Sequence, residues 1–164
     1  MFSKLISKNG RYEEFDFFKA SDKCIAVANF FIDDALEKAL PITRKKVLKL
    51  TFMAQGFALA TLEKSLFPDV IEAWPLGPVI PGLYFELKNT NPVIVKELLP
   101  TEYELEEEDQ QLLEVVNMKF GHFSAEQLSM LTHKPGTPWA LTKHQMGRII
   151  DPNKIESYYK KLLA

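Results

Sequence analysis

Three histidines, His122, His133 and His144, recur eleven residues apart. On an unbroken helix that spacing would bring three imidazoles near one face and invite a metal ion. Gly121, Pro135, Gly136 and Pro138 interrupt any such helix and no cysteine accompanies the set, so the converging ligands a metal site needs are not expected here. A catalytic His133 would need a nucleophile to activate and an acid to orient it. Ser124, Ser129 and Cys24 stand in no recognisable nucleophile context. Thr132 and His133 fall at a predicted helix end before a proline turn, where they suit the last carbonyls and the negative end of the helix dipole. No catalytic residue, metal or cofactor is therefore expected. The rival reading is a small hydrolase or transferase with Gln55, Glu72, Thr132 and His133 forming its cleft.

The aromatic residues cluster more tightly. Glu72 to Lys88 reads EAWPLGPVIPGLYFELK. Pro78 and Pro81 fix their own φ and disfavour the α region for Gly77 and Ile80, which predicts an extended, stiff turn over 77–81 with Trp74 and Tyr84 on either side. Trp74, Tyr84 and Trp139 are the residue types that line ligand pockets. The same rings serve as core, each burying ~150 to 250 Å² while its polar atom seeks one partner. We read Trp74 and Trp139 as framework packed around His133, with Gln55 and Glu72 as polar members of that framework, and keep a shared pocket as the alternative. Glu106, Glu107 and Glu108, in the acidic run from Glu102 to Asp109, form a solvated helix start that would also suit a basic protein partner.

These residues need elements to hold them. Ser21 and Asp22 cap a helix to about Leu40, with Cys24, Ala28, Phe31, Ala35 and Leu36 at helical spacing. Thr43 caps a second, in which Val47, Leu50, Ala54, Phe57 and Ala58 make an apolar stripe and Arg44, Lys45 and Lys49 a polar one. Residues 70–73 read as extended. Pro81 opens a helix to Lys88, and Val93 to Val95 reads as a short strand or buried loop. Further helices are predicted from Glu106 to Lys119, stopped by Gly121; through Leu128 to His133, started by the capping box Ser124 and Gln127; and from Asp151 and Pro152, with Ile155, Tyr158, Tyr159 and Leu162 inward. The fold class is mainly α, a compact bundle of about six helices with one small β element. Residues 1–164 read as one domain, with 1–20 as an N-terminal extension.

The charge balance, 20 Lys and Arg against 22 acids, argues against broad nucleic-acid binding, which needs clustered cations; the Arg44, Lys45, Lys46 cluster is too small for a nucleic-acid groove. Cys24, the single cysteine, cannot pair internally and reads as a buried small hydrophobe. No apolar run reaches the ~18 residues that span a bilayer, and the first residues lack a signal-peptide pattern. A cytoplasmic protein without membrane contact is expected.

Three blocks in this order and spacing resemble the Panacea family, which includes SocA-like antitoxins and GepA-type phage-associated proteins. The first is Leu48, Lys49, Leu50, Phe52, Gln55 and Gly56. The second is Glu72, Ala73, Trp74, Gly77, Pro78, Val79, Pro81 and Tyr84, and the third is Leu131, Thr132, His133, Pro138 and Trp139. Leu76 stands where the family usually carries an aromatic residue. The resemblance implies a bacterial antitoxin that binds a toxin encoded nearby, either sequestering it or delivering it to a protease. A prophage accessory protein with a host target is the alternative within the family.

Overall fold

The computed structural model describes residues 3–8, 11–16, 19–142 and 147–164. Its elements are β1 (Ser3–Lys8), β2 (Arg11–Asp16), α1 (Asp22–Glu37), α2 (Arg44–Thr61), β3 (Glu72–Trp74), β4 (Gly77–Val79), α3 (Pro81–Thr90), α4 (Glu107–Phe120), α5 (Ala125–His133) and α6 (Pro152–Leu163). The mainly α expectation holds. Two antiparallel ladders accompany the helices. One, β1 with β2, joins Ser3 to Asp16 and Lys8 to Arg11 within the expected N-terminal extension. The other pairs Glu72 with Val79 and Trp74 with Gly77.

Local chemistry sets most helix starts. Ser21 accepts from the Cys24 amide and Thr43 from the Lys46 amide. Ser124 and Gln127 complete the capping box reciprocally, and Asp151 accepts from the Asn153 amide. Each such cap satisfies a donor that the helix itself leaves orphaned. A tertiary contact tightens one of these ends: Asp69 receives both the amide and the hydroxyl of Ser21. The first helix stops at Glu37, short of Leu40, because Ala39 turns to φ 53°.

The second helix is the axis of the molecule, packed by α1, α3, α4, α5, α6 and β4. Every residue from Val47 to Leu59 is buried, so the expected polar stripe does not exist at Lys49, which is 3 % exposed. Ala54 and Ala58 keep the axis slim, and Gly56 lets α6 close upon it: a Cβ there would stand 2.5 Å from the Tyr159 ring. That ring meets Phe52 and Phe57 edge-on or tilted, and Phe57 meets Phe120 in a T-shaped contact. Burying side chains of this size contributes about 1.5–3 kcal/mol each. Cys24 is fully buried as expected, and burial raises its thiol pKa well above the ordinary value. Leu36 and Leu162, expected inward, are exposed, while Leu163 packs on the core in place of Leu162. Helical spacing locates a stripe, but its edges depend on what covers them.

Two connections bring the chain back to the site. Val93 to Val95 is an extended loop laid along the start of α2, buried at Val95 alone and not throughout as expected: the Arg44 amide donates to Val93 and the Val95 amide to Ile42. Residues 148–150 pair beside β3, with Ala73 donating to Arg148 and Ile150 to Ile71. Asn91 and Asn29 hold the path from α3 to α4 through bonds to the backbone of residues 96, 97 and 99.

Candidate functional site

The expected turn lies two residues earlier than the prolines suggested. Pro75 and Leu76 form the tip of a two-residue hairpin loop, and Gly77 to Val79 is strand. Gly77 takes φ 121°, a conformation open to a residue without Cβ. A Cβ at Gly77 would also collide with Lys49 Nζ and lie 2.6 Å from His133 Nε2. One glycine thus admits side chains from two helices, α2 and α5, against the same point of the hairpin.

Around that point the aromatic residues interlock. Trp74 is 5 % exposed; its indole N–H donates to Glu72 Oε1 at 2.8 Å, and the same oxygen accepts the Gly147 amide at 2.8 Å. The Trp139 indole N–H donates to the Trp74 carbonyl at 2.7 Å. His133 stacks on Trp139 with centroids 4.2 Å apart, and Trp74 meets Tyr84 edge-on at 5.1 Å. Glu72, Trp74, Tyr84, His133 and Trp139 are therefore one assembly, tied together by the two indole N–H bonds and the ring contacts. Both indole N–H groups and Glu72 Oε1 are hydrogen-bonded within it, as a buried indole requires.

Beside this assembly lies an open groove of about 420 Å³ between the start of α2, the β3–β4 hairpin and α3. Arg44, Lys45, Lys49 and Lys88 bring positive charge to it, and no described lining residue is acidic. Its apolar wall comes from Leu48, Trp74, Leu76, Pro78, Val79 and Val93. Lys88 Nζ stands 5.9 Å from the centre of the Tyr84 ring, within cation–π range. Arg44 donates to the Asn91 carbonyl at 3.2 Å. Lys49 Nζ makes a long contact of 3.4 Å with the Leu76 carbonyl. Burial first, and the positive charge of Lys45 second, lower the Lys49 ammonium pKa from its usual range to about 8.

Two expected members stand elsewhere. Gln55 donates to the Phe67 carbonyl at 2.9 Å and accepts the Leu66 amide at 2.7 Å, fixing the loop after α2 rather than serving the tryptophan framework. Thr132 donates to the Ser129 carbonyl. Of the rival hydrolytic cleft, Gln55, Glu72 and Thr132 thus each make hydrogen bonds within the fold. Glu106, Glu107 and Glu108 are exposed at the start of α4, while Asp109 is buried and paired with Lys23 at 3.0 Å. Glu108 pairs with Lys64 at 3.2 Å across solvent. His122 stacks on Phe123; His144 lies outside the described residues. Among the described residues no group of three or more His, Cys, Asp or Glu could hold a metal ion, and no helix is long and apolar enough to cross a membrane.

The family described as "Antitoxin SocA-like, Panacea domain" matches residues 47–140. Antitoxin SocA of Caulobacter vibrioides is 30 % identical over 129 residues, covering 70 % of this chain and 66 % of that protein. The chain belongs to the SocA-like Panacea family. It spans just under two thirds of the length of this curated relative. No solved structure matches. The matched Panacea segment begins in α2 and ends one residue beyond Trp139, so it contains Lys49, Gly77, His133 and the interlocked tryptophans. Outside it lie Arg44 and Lys45, which contribute half of the groove's cations, and Arg148 to Ile150, which flank β3. Sequence reasoning set Arg44 and Lys45 aside as a small basic cluster and overlooked Lys88 and Val93. The only signal for the latter pair was their position on either side of the turn at Asn91.

Proposed function

We propose that this chain is the antitoxin of a toxin–antitoxin pair and that it neutralises its toxin by direct protein contact. Membership of the SocA-like Panacea family carries the reading. The geometry supports it: Gln55, Glu72 and Thr132 spend their polar atoms on the fold. Sequestration is the mode we adopt, with delivery of the toxin to a protease as the competing one.

Co-expression tests both levels. The polypeptide encoded beside this chain should arrest growth alone and be tolerated when this protein is present, with the two co-purifying and the toxin level steady. A neighbour that is harmless, or that stays lethal beside soluble protein, would refute the antitoxin reading. Rescue accompanied by rapid disappearance of the toxin would replace sequestration with delivery to a protease.

A further inference from the structure

We infer that the groove at the start of α2 seats an acidic segment of the partner polypeptide, a carboxylate flanked by a bulky apolar side chain. The inference rests on the protein-binding reading above. Its first support is an unmatched charge. Lys49 is 3 % exposed, and its hydrogen bond is the 3.4 Å contact with the Leu76 carbonyl. A buried ammonium is costly unless an anion pairs with it. Among the described residues lining the groove there is none; Arg44, Lys45 and Lys88 add charge of the same sign. An incoming carboxylate would relieve that repulsion and complete a charge-assisted bond.

The second support selects the kind of anion. Helix starts bind phosphate through free backbone N–H groups, but those of α2 are largely engaged. The Arg44 amide donates to Val93 and the Lys46 amide to Thr43 Oγ1, while the Val47 amide closes the first helical turn on Thr43. Side-chain cations are what the groove offers. The third support is the rim: Leu76 at the hairpin tip and Val93 opposite are 69 % and 62 % exposed. Two large apolar side chains beside a cationic cleft suit a polypeptide that brings both an apolar anchor and a carboxylate.

The test uses the full chain and the purified polypeptide encoded beside it, with titrations at two salt concentrations. Leu76→Glu places a repelled charge on the rim, and Lys45→Glu with Lys88→Glu reverses two exposed cations. Each is expected to weaken binding by about tenfold or more, which is a change of about 1.4 kcal/mol. Melting curves should be unchanged, and the charge reversal should also flatten the salt dependence. Should either lower the melting temperature, Leu76→Ala and Lys88→Ala provide the same comparison with less disturbance. If the wild-type chain binds and the variants bind within about twofold of it, the groove is not the seat, and the antitoxin reading stands. Absence of wild-type binding overturns that reading and the groove with it. Self-association of the free chain that the variants abolish would make the occupant a second copy, and would overturn a partner segment.

Discussion

Lys49→Met asks how much the fold gives up to keep an ammonium inside. The ordinary lysine pKa of 10.5 is lowered to about 8 in the folded chain, first by burial and then by Lys45. At about 1.4 kcal/mol per unit, that difference corresponds to ~3 kcal/mol of disfavoured charge. The sign follows from proton counting. Below pH 8 both folded and unfolded chains carry the proton and the full cost is present. Between about 8 and 10.5 the unfolded chain still holds the proton that the folded chain has released, so stability rises with pH; above 10.5 the cost is gone. Methionine keeps most of the stem's volume and lacks the charge. Its loss of the 3.4 Å contact with Leu76 offsets about 1 kcal/mol at most. The variant should therefore be about 2 kcal/mol more stable at pH 7, and the difference should fall through zero as the pH approaches 10.5 and reverse by about 1 kcal/mol at most above it. Urea melts should show this as a midpoint about 1 M higher at neutral pH, for a slope of about 2 kcal/mol per M. Parallel stability curves from pH 7 to 10.5, or a variant less stable at pH 7, would refute the reasoning. A stabilised variant that no longer neutralises the toxin would show that the charge is kept for binding at the expense of the fold.

Trp74→Ala should cost ~3 to 5 kcal/mol and abolish neutralisation through loss of folded protein; Trp139→Phe, which removes chiefly the indole bond to the Trp74 carbonyl, should cost about 1–3 kcal/mol. Circular dichroism melts check both, and a fully folded Trp74→Ala chain unable to neutralise would move that ring from framework to binding surface. Gly77→Ala meets a left-handed φ as well as Lys49 and His133, so a loss of about 1–3 kcal/mol is expected; a neutral effect in denaturant melts would mean that the hairpin relaxes freely. Reversing Glu106, Glu107 and Glu108 to lysine should change stability by less than about 1 kcal/mol, since exposed pairs such as Glu108 with Lys64 contribute little. If the acidic turn is a second contact with the partner, titrations of the reversed chain will show weaker binding, and unchanged affinity removes this face from the interface.

Features whose chemistry closes within a few residues were determined by the sequence itself. Ser21, Thr43, the Ser124 and Gln127 pair and Asp151 cap their helices through bonds to amides two or three positions away, and Pro81 opens α3 where its missing N–H costs nothing. The family blocks were legible for a similar reason: their residue types and spacing are written along the chain. Burial and long-range pairing are not local properties. Lys49 reads as a surface cation until five other helices and a strand enclose α2, and helical periodicity cannot mark a face that is buried all round. Gln55 has no signal in its neighbourhood for the Leu66 and Phe67 backbone groups that claim it. The prolines predicted stiffness but not where the chain would turn, because the ladder of β3 with β4, and of residues 148–150 beside it, set the register. The groove is the plainest case: Arg44, Lys88 and Val93 share it only because residues 93–95 return along the start of α2 and α3 packs against that same helix. Tertiary structure decided that meeting, since a surface shared by distant segments exists only once their backbones have paired and packed.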